Sequence, residues 1–393
     1  MKRGLKALQD FAPTVVVVWP ETFVSSQFAI WEPYLTRSEH RIAVLARNHG
    51  GGSRPESTIP FIFEDEDGVS LADVASIESI AVVLYPTVRL RFRKHINAFA
   101  NCQHVFIGHG DSDKASSARA RNRIFDWLFV ADSEAIDRYP RGAIPRERFV
   151  EIGAPLLDGL VAGTGTETVT AVLYAPTWEG HDPDNDFTSI PVVAAAIRNT
   201  PNRLAGLALE FLPHPGAGNH SSIVRESKDE LVALFGQVDR ADKVAAFNRS
   251  DGLVTDISGV LTEYLVTRKP IVVVDNGTAH FRHALTQSTL HEVVELWNPA
   301  TETLSAAFSR ANSPERAAAR QRAAERKFHG ATSISDAVKV FDRAVSRVND
   351  ASNIRGLRAS LRTARKRTYK LNPVTAAKAV ARFVLRRPSR PAS

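Results

Sequence analysis

Four segments of this 393-residue chain place polar side chains directly after a run of apolar residues. In the first, residues 105–114 (VFIGHGDSDK), the apolar run leads to His109, which lies between two glycines. An imidazole can accept or release a proton near neutral pH, and glycine lets a backbone or a substrate approach closely. His109 is therefore the first candidate for acid–base chemistry. The competing interpretation is a turn histidine that bonds a neighbouring carbonyl group.

Charged side chains follow His109 closely in the sequence. Asp111 or Asp113 could orient the His109 ring, as carboxylates do in base–orienter pairs, or could cap a following helix. Lys114 could contact a phosphate or could be a solvated surface residue. The segment thus combines a candidate base with candidate groups that orient it or bind an anion.

Two further segments end in residues suited to a phosphorylated ligand. Residues 172–178 (VLYAPTW) end in Thr177, whose hydroxyl can donate to a phosphate oxygen, and in Trp178, which can wall a nucleotide or polyol pocket. Residues 209–215 (LEFLPHP) place His214 between two prolines, which restrict the backbone and favour one pose of the imidazole. A structural tryptophan and a loop histidine with a local partner are the alternatives.

The fourth segment, residues 253–259 (LVTDISG), reads as a strand that leads into a helix. Free amides at a helix N-terminus attract anions, so Thr255, Ser258 and the Gly259 backbone could cradle a phosphate. Capping of the helix alone would also explain Asp256 and Ser258. Each of the four segments is a weak signal when taken singly.

The elements that must position these residues follow an alternation of β-branched runs and helical stretches, which is typical of a parallel sheet covered on both faces. In the first part of the chain we predict strands at 14–18, 42–45, 80–85, 104–107, 127–131 and 149–152, and helices at 27–35, 91–99 and 115–124. In the second part we predict strands at 169–174, 207–212, 253–255 and 270–274, and helices near 192–198 and at 221–235, 241–247 and 260–266. Open sheets of this kind bind ligands at the carboxyl ends of their strands, so the four segments are expected to form one crevice.

The length favours two domains, because single cores rarely grow beyond roughly 250–300 residues. The small, polar segment 163–168 (GTGTET) is typical of an inter-domain linker. We therefore predict an α/β protein with Rossmann-like, doubly wound domains over residues 1–160 and 161–350, followed by a basic helical tail over 351–393. Ser227 with Glu230 predicts a capping box, and Ser313 before Pro314 predicts a helix N-cap, with helices over 314–348.

The net charge of +7 belongs to the tail, which holds twelve Lys or Arg and no acidic residue, whereas the rest of the chain has a net charge of −5. This distribution argues against a nucleic-acid footprint on the folded domains. Apolar residues at helical spacing with arginines between them would suit a helix at an anionic membrane surface. A solvated disordered tail, and binding of nucleic acid or an acidic partner by the tail, are the alternatives.

The sequence features that report on location favour a cytoplasmic protein. Cys102 is the single cysteine, so an intrachain disulfide and a multi-thiolate zinc site are excluded, and no metal site is predicted. The apolar run at 15–19 is too short for a signal peptide, and no run approaches the ~18 residues that span a bilayer. Through its tail the protein is a candidate for peripheral association with the inner face of the plasma membrane.

Together, and in this order, the four segments resemble the CDP-glycerol glycerophosphotransferase family, which builds polymers of the teichoic-acid type. The family pattern His-Gly-x-x-x-Lys is matched by His109, Gly110 and Lys114, and its Tyr-Ala-Pro-Thr-Trp by residues 174–178. Its His-Pro is matched at 214–215, its Thr-Asp-x-Ser-x-Val at 255–260, and its Lys-Pro at 269–270. The resemblance covers residues 106–274.

The resemblance implies a GT-B architecture, with the site in the cleft between an acceptor-side first domain and a donor-side second domain. It also implies transfer of a polyol phosphate from a CDP-linked donor to a hydroxyl of a polymer or lipid-linked glycan acceptor, with release of CMP. The donor is a substrate, and no cofactor is implied. His109 would be the general base, His214 would bind the pyrophosphate together with Thr255 and Ser258, and Glu263 would hold the ribose hydroxyls.

Three departures from the family pattern stand out. Leu212 lies where the family often has an arginine, Gly259 replaces a second serine, and residues 111–113 add negative charge beside His109. Two other functions therefore stay open: a GT-B glycosyltransferase or epimerase that uses a UDP- or GDP-sugar, and a non-catalytic, membrane-associated assembly protein.

Overall fold

The computed structural model describes residues 3–50, 55–88, 92–108, 110–111, 118–163, 168–180, 186–287 and 291–353. In this part of the chain two parallel β-sheets are flanked by helices. Valines 15 to 18 of the first strand are each at most 1% exposed, and they point alternately into two separate apolar clusters on the two faces of the sheet. The predicted α/β class with two doubly wound sheets is confirmed.

The first sheet has the strand order β3-β2-β1-β4-β5-β6-β7, and all its described pairs are parallel. Its strands are β1 (Val15–Thr22), β2 (Ile42–Asn48), β3 (Phe61–Phe63), β4 (Val82–Tyr85), β5 (Gln103–Phe106), β6 (Trp127–Val130) and β7 (Phe149–Glu151). Its helices are α1 (Arg3–Phe11), α2 (Ser25–Arg37), α3 (Glu64–Asp67), α4 (Leu71–Ala75), α5 (Phe92–Ala98) and α6 (Ser133–Asp137). The segment with His109 follows β5 directly.

The second sheet has the strand order β12-β11-β10-β8-β9 and is also parallel. Its strands are β8 (Ala171–Ala175), β9 (Ala208–Phe211), β10 (Gly252–Thr255), β11 (Ile271–Val274) and β12 (Glu295–Trp297). Its helices are α7 (Ile190–Asn199), α8 (Ser222–Phe235), α9 (Lys243–Arg249), α10 (Gly259–Leu265), α11 (Ala279–Gln287) and α12 (Leu304–Ala311). The chain order reverses between the neighbours β8 and β10, and a switch point of this kind is where such sheets bind ligands.

The last two helices return the chain to the first sheet. Helix α13 (Pro314–Lys327) ends where the Lys327 carbonyl accepts a hydrogen bond of 2.7 Å from the Ala154 amide, just after β7. Helix α14 (Ile334–Asn353) then packs against α2, β4 and β5. It contacts the first sheet although it lies in the sequence range 161–350, and the boundaries of the two domains stay a prediction.

Several predicted elements differ from those observed. The capping box at Ser227 and Glu230 was wrong, because Ser227 is buried inside α8, whose N-cap is Ser221 through a bond from the Val224 amide. The helix over 115–124 was wrong where the chain is described, since only a 3-10 helix (Ala120–Ile124) forms there. The Ser313 cap before Pro314 is confirmed. Strands β3 and β12, of three residues each, were not predicted.

The tail cannot be compared with its prediction beyond its first residues, because positions 354–393 lie outside the described residues. Among the helices that the structure describes, none is both long enough and apolar enough to cross a membrane.

Candidate active site

The two glycines that flank position 109 in the sequence follow the carboxyl end of β5. Gly108 and Gly110 have φ angles of 65° and 124°, which L side chains rarely adopt. The Gly108 carbonyl accepts a hydrogen bond of 2.8 Å from Nε1 of the buried Trp31. The turn is therefore fixed to α2 on one side of position 109. His109 itself, Asp113 and Lys114 lie outside the described residues.

Asp111, the third predicted catalytic residue, is held in an ion-pair network. One carboxylate oxygen accepts a hydrogen bond from the Arg138 guanidinium, and the other lies 3.3 Å from Nζ of Lys327. The Asp111 side chain is only 10% exposed. Both oxygens are thus engaged by cations, and these contacts anchor the turn beyond residue 110.

On the second sheet, a buried carboxylate joins the ends of β8 and β10. Asp256 is fully buried, and its Oδ2 accepts hydrogen bonds from the amides of Thr177 at 2.8 Å and Ser189 at 3.3 Å. Thr177 is 4% exposed, and its carbonyl accepts a bond from the Thr188 hydroxyl. Asp256 therefore fixes the loop after β8 and the start of α7 against β10.

The hydroxyls after β10 differ in their surroundings. Thr255 is fully buried, and its Oγ1 donates to the Ala175 carbonyl at 2.8 Å. Ser258 is the N-cap residue of α10 but makes no capping hydrogen bond, and its Oγ lies 3.4 Å from that of Thr255. Of the two residues, Ser258 is half-buried, whereas the buried Thr255 ties β10 to β8.

His214 lies on an exposed loop after β9 and stacks on Trp178. The two ring centroids are 5.6 Å apart with an interplanar angle of 13°. The Gly216 amide donates a 3.0 Å hydrogen bond to Nδ1 of His214, which fixes the proton of the neutral ring on Nε2. A Cβ at residue 216 would lie 3.0 Å from the indole and 3.2 Å from the imidazole, so a larger residue there would push against both stacked rings.

Glu179 was not predicted, and it organises this loop. Its buried carboxylate accepts hydrogen bonds from three backbone amides, those of Gly218 at 3.0 Å, His220 at 2.8 Å and Ser221 at 3.1 Å. Burial favours the neutral acid, but the amides outweigh it and hold the pKa of Glu179 below its usual range. The signal in the sequence was an acidic residue next to Trp178, although its partners lie forty residues on and could not be paired with it by spacing.

Glu263 lies in α10, where it pairs with a residue of α9. Its carboxylate is 2.9 Å from Nζ of Lys243, and both side chains are less than a fifth exposed. The predicted ribose contact would have to share the carboxylate with this lysine.

The two sets of strand ends meet at Gly259. A Cβ built on this residue would lie 3.4 Å from the backbone carbonyl oxygen of Asp111. The start of α10 thus lies directly against the turn that follows His109, and a larger side chain would press on it. The predicted approach of the segment after β5 to the segment after β10 is seen in the backbone of Asp111 and Gly259. Within the described residues, no group of three or more His, Cys, Asp or Glu side chains is arranged to hold a metal ion.

Two parallel, doubly wound sheets with polar residues collected where their strand ends meet define an α/β protein with a fold of the GT-B type. Solved structures share this fold. A structure of the wall teichoic acid polymerase TagF soaked with CDPG aligns with a TM-score of 0.51 at 15% identity, over 87% of this chain and 90% of that one. A complex of S. aureus MnaA with UDP aligns with a TM-score of 0.50 at 13% identity, over 86% and 97%.

The family model for CDP-glycerol:poly(glycerophosphate) glycerophosphotransferase matches residues 109–329, which is more than half of the chain. The chain belongs to this family. It is a transferase of glycerol phosphate, or another polyol phosphate, from a CDP-linked donor to a hydroxyl of a cell-wall or capsule polymer, and CMP is released. None of the curated proteins matches the chain.

Proposed function

We propose that phosphoryl transfer takes place where the turn after β5 meets the start of α10. The observation that supports this location is the approach of the Asp111 backbone to Gly259, because it joins the two sets of strand ends. The donor would lie on the second sheet, and the acceptor hydroxyl would approach from the first. The acceptor oxygen attacks the phosphorus that carries the polyol, the bond to the bridging oxygen breaks, and CMP leaves with that oxygen.

His109 is the proposed general base that takes the proton from the acceptor hydroxyl. Its place in the sequence, between Gly108 and Gly110, supports this role because the described backbone on both sides is fixed. Asp111 has both carboxylate oxygens on cations, so we propose that it positions the turn. This replaces the role of ring orienter that its spacing suggested.

His214 is proposed to bind the diphosphate as a neutral hydrogen-bond donor through Nε2. The Gly216 amide bonded to Nδ1 supports this form, since a protonated Nδ1 would meet another donor. Donors aimed at a developing anion stabilise the transition state in such transfers. CMP is a stabilised leaving group, so a strong acid is not needed at this position.

The remaining donor contacts divide into ligand-binding and supporting groups. Ser258, the backbone of Gly259 and the predicted contact of Lys114 would bind phosphate oxygens, while the Trp178 face would wall the cytidine or polyol. Thr177, Thr255 and Asp256 are buried and bonded to the strand ends, so we propose that they shape the pocket. Glu263 remains a proposed ribose contact beside Lys243.

The proposed location is cytoplasmic, with the basic tail on an anionic membrane surface where lipid-linked acceptors are found. The tail contains twelve basic residues and no acidic residue, which supports electrostatic attraction to anionic headgroups. No nucleic acid is proposed as a partner, because the rest of the chain is net acidic.

Product analysis with purified protein tests the assignment. The protein is incubated with CDP-glycerol, CDP-ribitol, a UDP-sugar or a GDP-sugar and a short acceptor, and the released nucleotide is identified. We expect CMP from a CDP-polyol, dependent on acceptor and lost in H109A. Release of UDP or GDP would move the chain to the sugar-nucleotide enzymes, and a silent panel would favour the assembly-protein alternative.

A further inference from the structure

Lys327, the last residue of α13, is a fully buried cation that belongs to none of the four segments. Its side chain is 0% exposed, and three carboxylates surround its Nζ: Asp132 at 3.2 Å, Asp111 at 3.3 Å and Glu134 at 3.7 Å. A buried ammonium is stable only when it is paired in this way. The chain therefore keeps a charge in the interior at a point where it touches the turn after His109.

The partners of Lys327 come from distant parts of the chain. Asp132 is the N-cap of α6, and Asp111 lies in the turn after β5, 216 residues before the lysine. The Lys327 carbonyl is also bonded to the Ala154 amide after β7. Arg138, which follows α6, holds the other oxygen of Asp111. One ammonium thus connects the end of α13, the start of α6 and the turn that faces α10.

The charges of the cluster are balanced. Asp111, Asp132 and Glu134 face Lys327, Arg138 and Arg326, and the last of these lies 2.9 Å from Glu134 and 3.9 Å from Asp132. Arg326 is next to Lys327 in the sequence, and both residues form ion pairs with Asp132 and Glu134. Only Lys327 of the two forms an ion pair with Asp111 among the contacts described. Without the lysine charge, Asp111 would keep its ion pair with Arg138 alone, and the cluster would carry a net negative charge.

We propose that Lys327 is a positioning residue for phosphoryl transfer. Through Asp111 it holds the backbone of residues 110–111, next in sequence to the proposed base, against the N-terminal end of α10. Transfer requires the base and the donor phosphorus to be aligned within a fraction of an ångström, so a loose turn slows the chemical step more than it weakens donor binding. The proposal rests on the proposed function, in which residue 109 is the base.

The test compares K327M with its neighbour R326M by steady-state kinetics and single-turnover CMP release. K327M is expected to lower kcat by roughly 10- to 100-fold while the KM for CDP-glycerol changes by less than about threefold. K327R, which keeps the charge, should recover part of kcat. R326M breaks ion pairs to Asp132 and Glu134 but not to Asp111, and it should keep the kcat of the unmodified protein. An equal loss of kcat in R326M would overturn the proposal.

A double-mutant cycle tests whether Lys327 affects kcat through Asp111. If Lys327 acts through Asp111, D111N lowers kcat and adding K327M to D111N has little further effect. Independent, multiplicative losses would overturn the proposal, because they would place the effect of Lys327 elsewhere. Should K327M fail to fold, the comparison of D111N with D132N decides, since only the Asp111 substitution should lower kcat in folded protein.

The H109A variant separates this proposal from the function on which it rests. If H109A retains full acceptor-dependent CMP release, residue 109 is not the base and the proposed mechanism fails, whatever the Lys327 variants do. If H109A is inactive and K327M keeps full kcat, the mechanism stands and the role of Lys327 is overturned.

Discussion

His109 and His214 divide the proposed chemistry between two imidazoles that belong to different sheets. His214 is held by the Trp178 face and the Gly216 amide, which suits a fixed donor to a bound diphosphate. We expect H214A to weaken binding of CDP-glycerol by about tenfold or more, since a hydrogen bond to a charged group is worth ~1.5–3 kcal/mol. H109A should leave binding within about twofold but lower kcat by roughly 10²–10⁴. Nucleotide titration by calorimetry together with kcat measurements would check this, and the reverse order of affinities would contradict the division of roles.

Glu179 fixes the loop after β9 through hydrogen bonds from three backbone amides. Its folded-state pKa is lowered by backbone amides, so its contribution to stability is present at pH values above its unfolded pKa and is lost as pH falls through the folded pKa. We expect E179Q to destabilise the protein by about 1–3 kcal/mol at neutral pH, because the amide group presents a donor to backbone donors. The difference from the unmodified protein should shrink as the acid becomes protonated.

Urea unfolding between pH 7 and the acidic range would measure this effect, with E226Q as the control. Glu226 is an exposed residue of the same helix, α8, and its loss should change stability by only a few tenths of a kcal/mol. A destabilisation by E179Q that stays constant down to the lowest pH would contradict the role assigned to the carboxylate.

Among the elements, Asp256 joins the ends of β8 and β10 to the start of α7, on the side of the crevice where we propose that the donor binds. Replacing it by asparagine keeps the shape and one oxygen for the amides of Thr177 and Ser189, but removes the negative charge that strengthens both hydrogen bonds. We expect D256N to cost about 2–3 kcal/mol of stability and to raise the KM for the donor. Urea unfolding and donor kinetics would measure both effects, with the exposed Asp10 replaced in D10N as the control. An unchanged unfolding midpoint in D256N would contradict the role of Asp256 in joining these elements.

The sequence predicts the strands of both sheets except β3 and β12, because most of them are short apolar runs that end at a turn. It also predicts the residues at the strand ends, since Thr177, His214 and Ser258 directly follow such runs. Lys327 and Glu179 were missed because their roles depend on partners that only the folded chain brings near. The capping box at Ser227 failed for a related reason: Ser221, six residues earlier, is the serine at which the loop after β9 ends and α8 begins.

At the scale of the whole molecule, the C-terminal part of the chain returns to the N-terminal part at the point where the two sets of strand ends meet. Helix α14 packs on the first sheet after the chain has built the second one, and Lys327 lies just before that return. The first sheet is therefore completed by a helix that begins just beyond the family match, which runs to residue 329. Truncation before α14 would expose the surfaces of α2 and β5 that it covers, and truncation within α13 would also remove Lys327 and its contact with Asp111.

The basic tail beyond α14 is the part of the molecule with the clearest electrostatic bias. A variant that ends at residue 353 keeps α14 and loses all twelve basic residues of the tail. Each Lys or Arg near an anionic surface contributes about 1 kcal/mol, and the attraction is screened by salt. We expect the truncated protein to bind vesicles with anionic lipid far more weakly, while turnover of a soluble acceptor stays within about twofold. Vesicle co-sedimentation and CMP release would measure these two properties.

A control variant distinguishes electrostatic attraction of the tail to the membrane surface from insertion of an amphipathic tail helix. Replacing Arg365, Lys366 and Arg367 by glutamine removes three adjacent charges and leaves the apolar residues of the tail in place. Binding by charge alone should fall in proportion to the lost cations and vanish in high salt, whereas insertion of an apolar stripe would leave residual binding in salt. Vesicle binding that is unchanged by truncation would contradict a membrane role for the tail. If truncation weakened binding to RNA and to vesicles equally, the tail would be a general binder of anions without a preference for lipid.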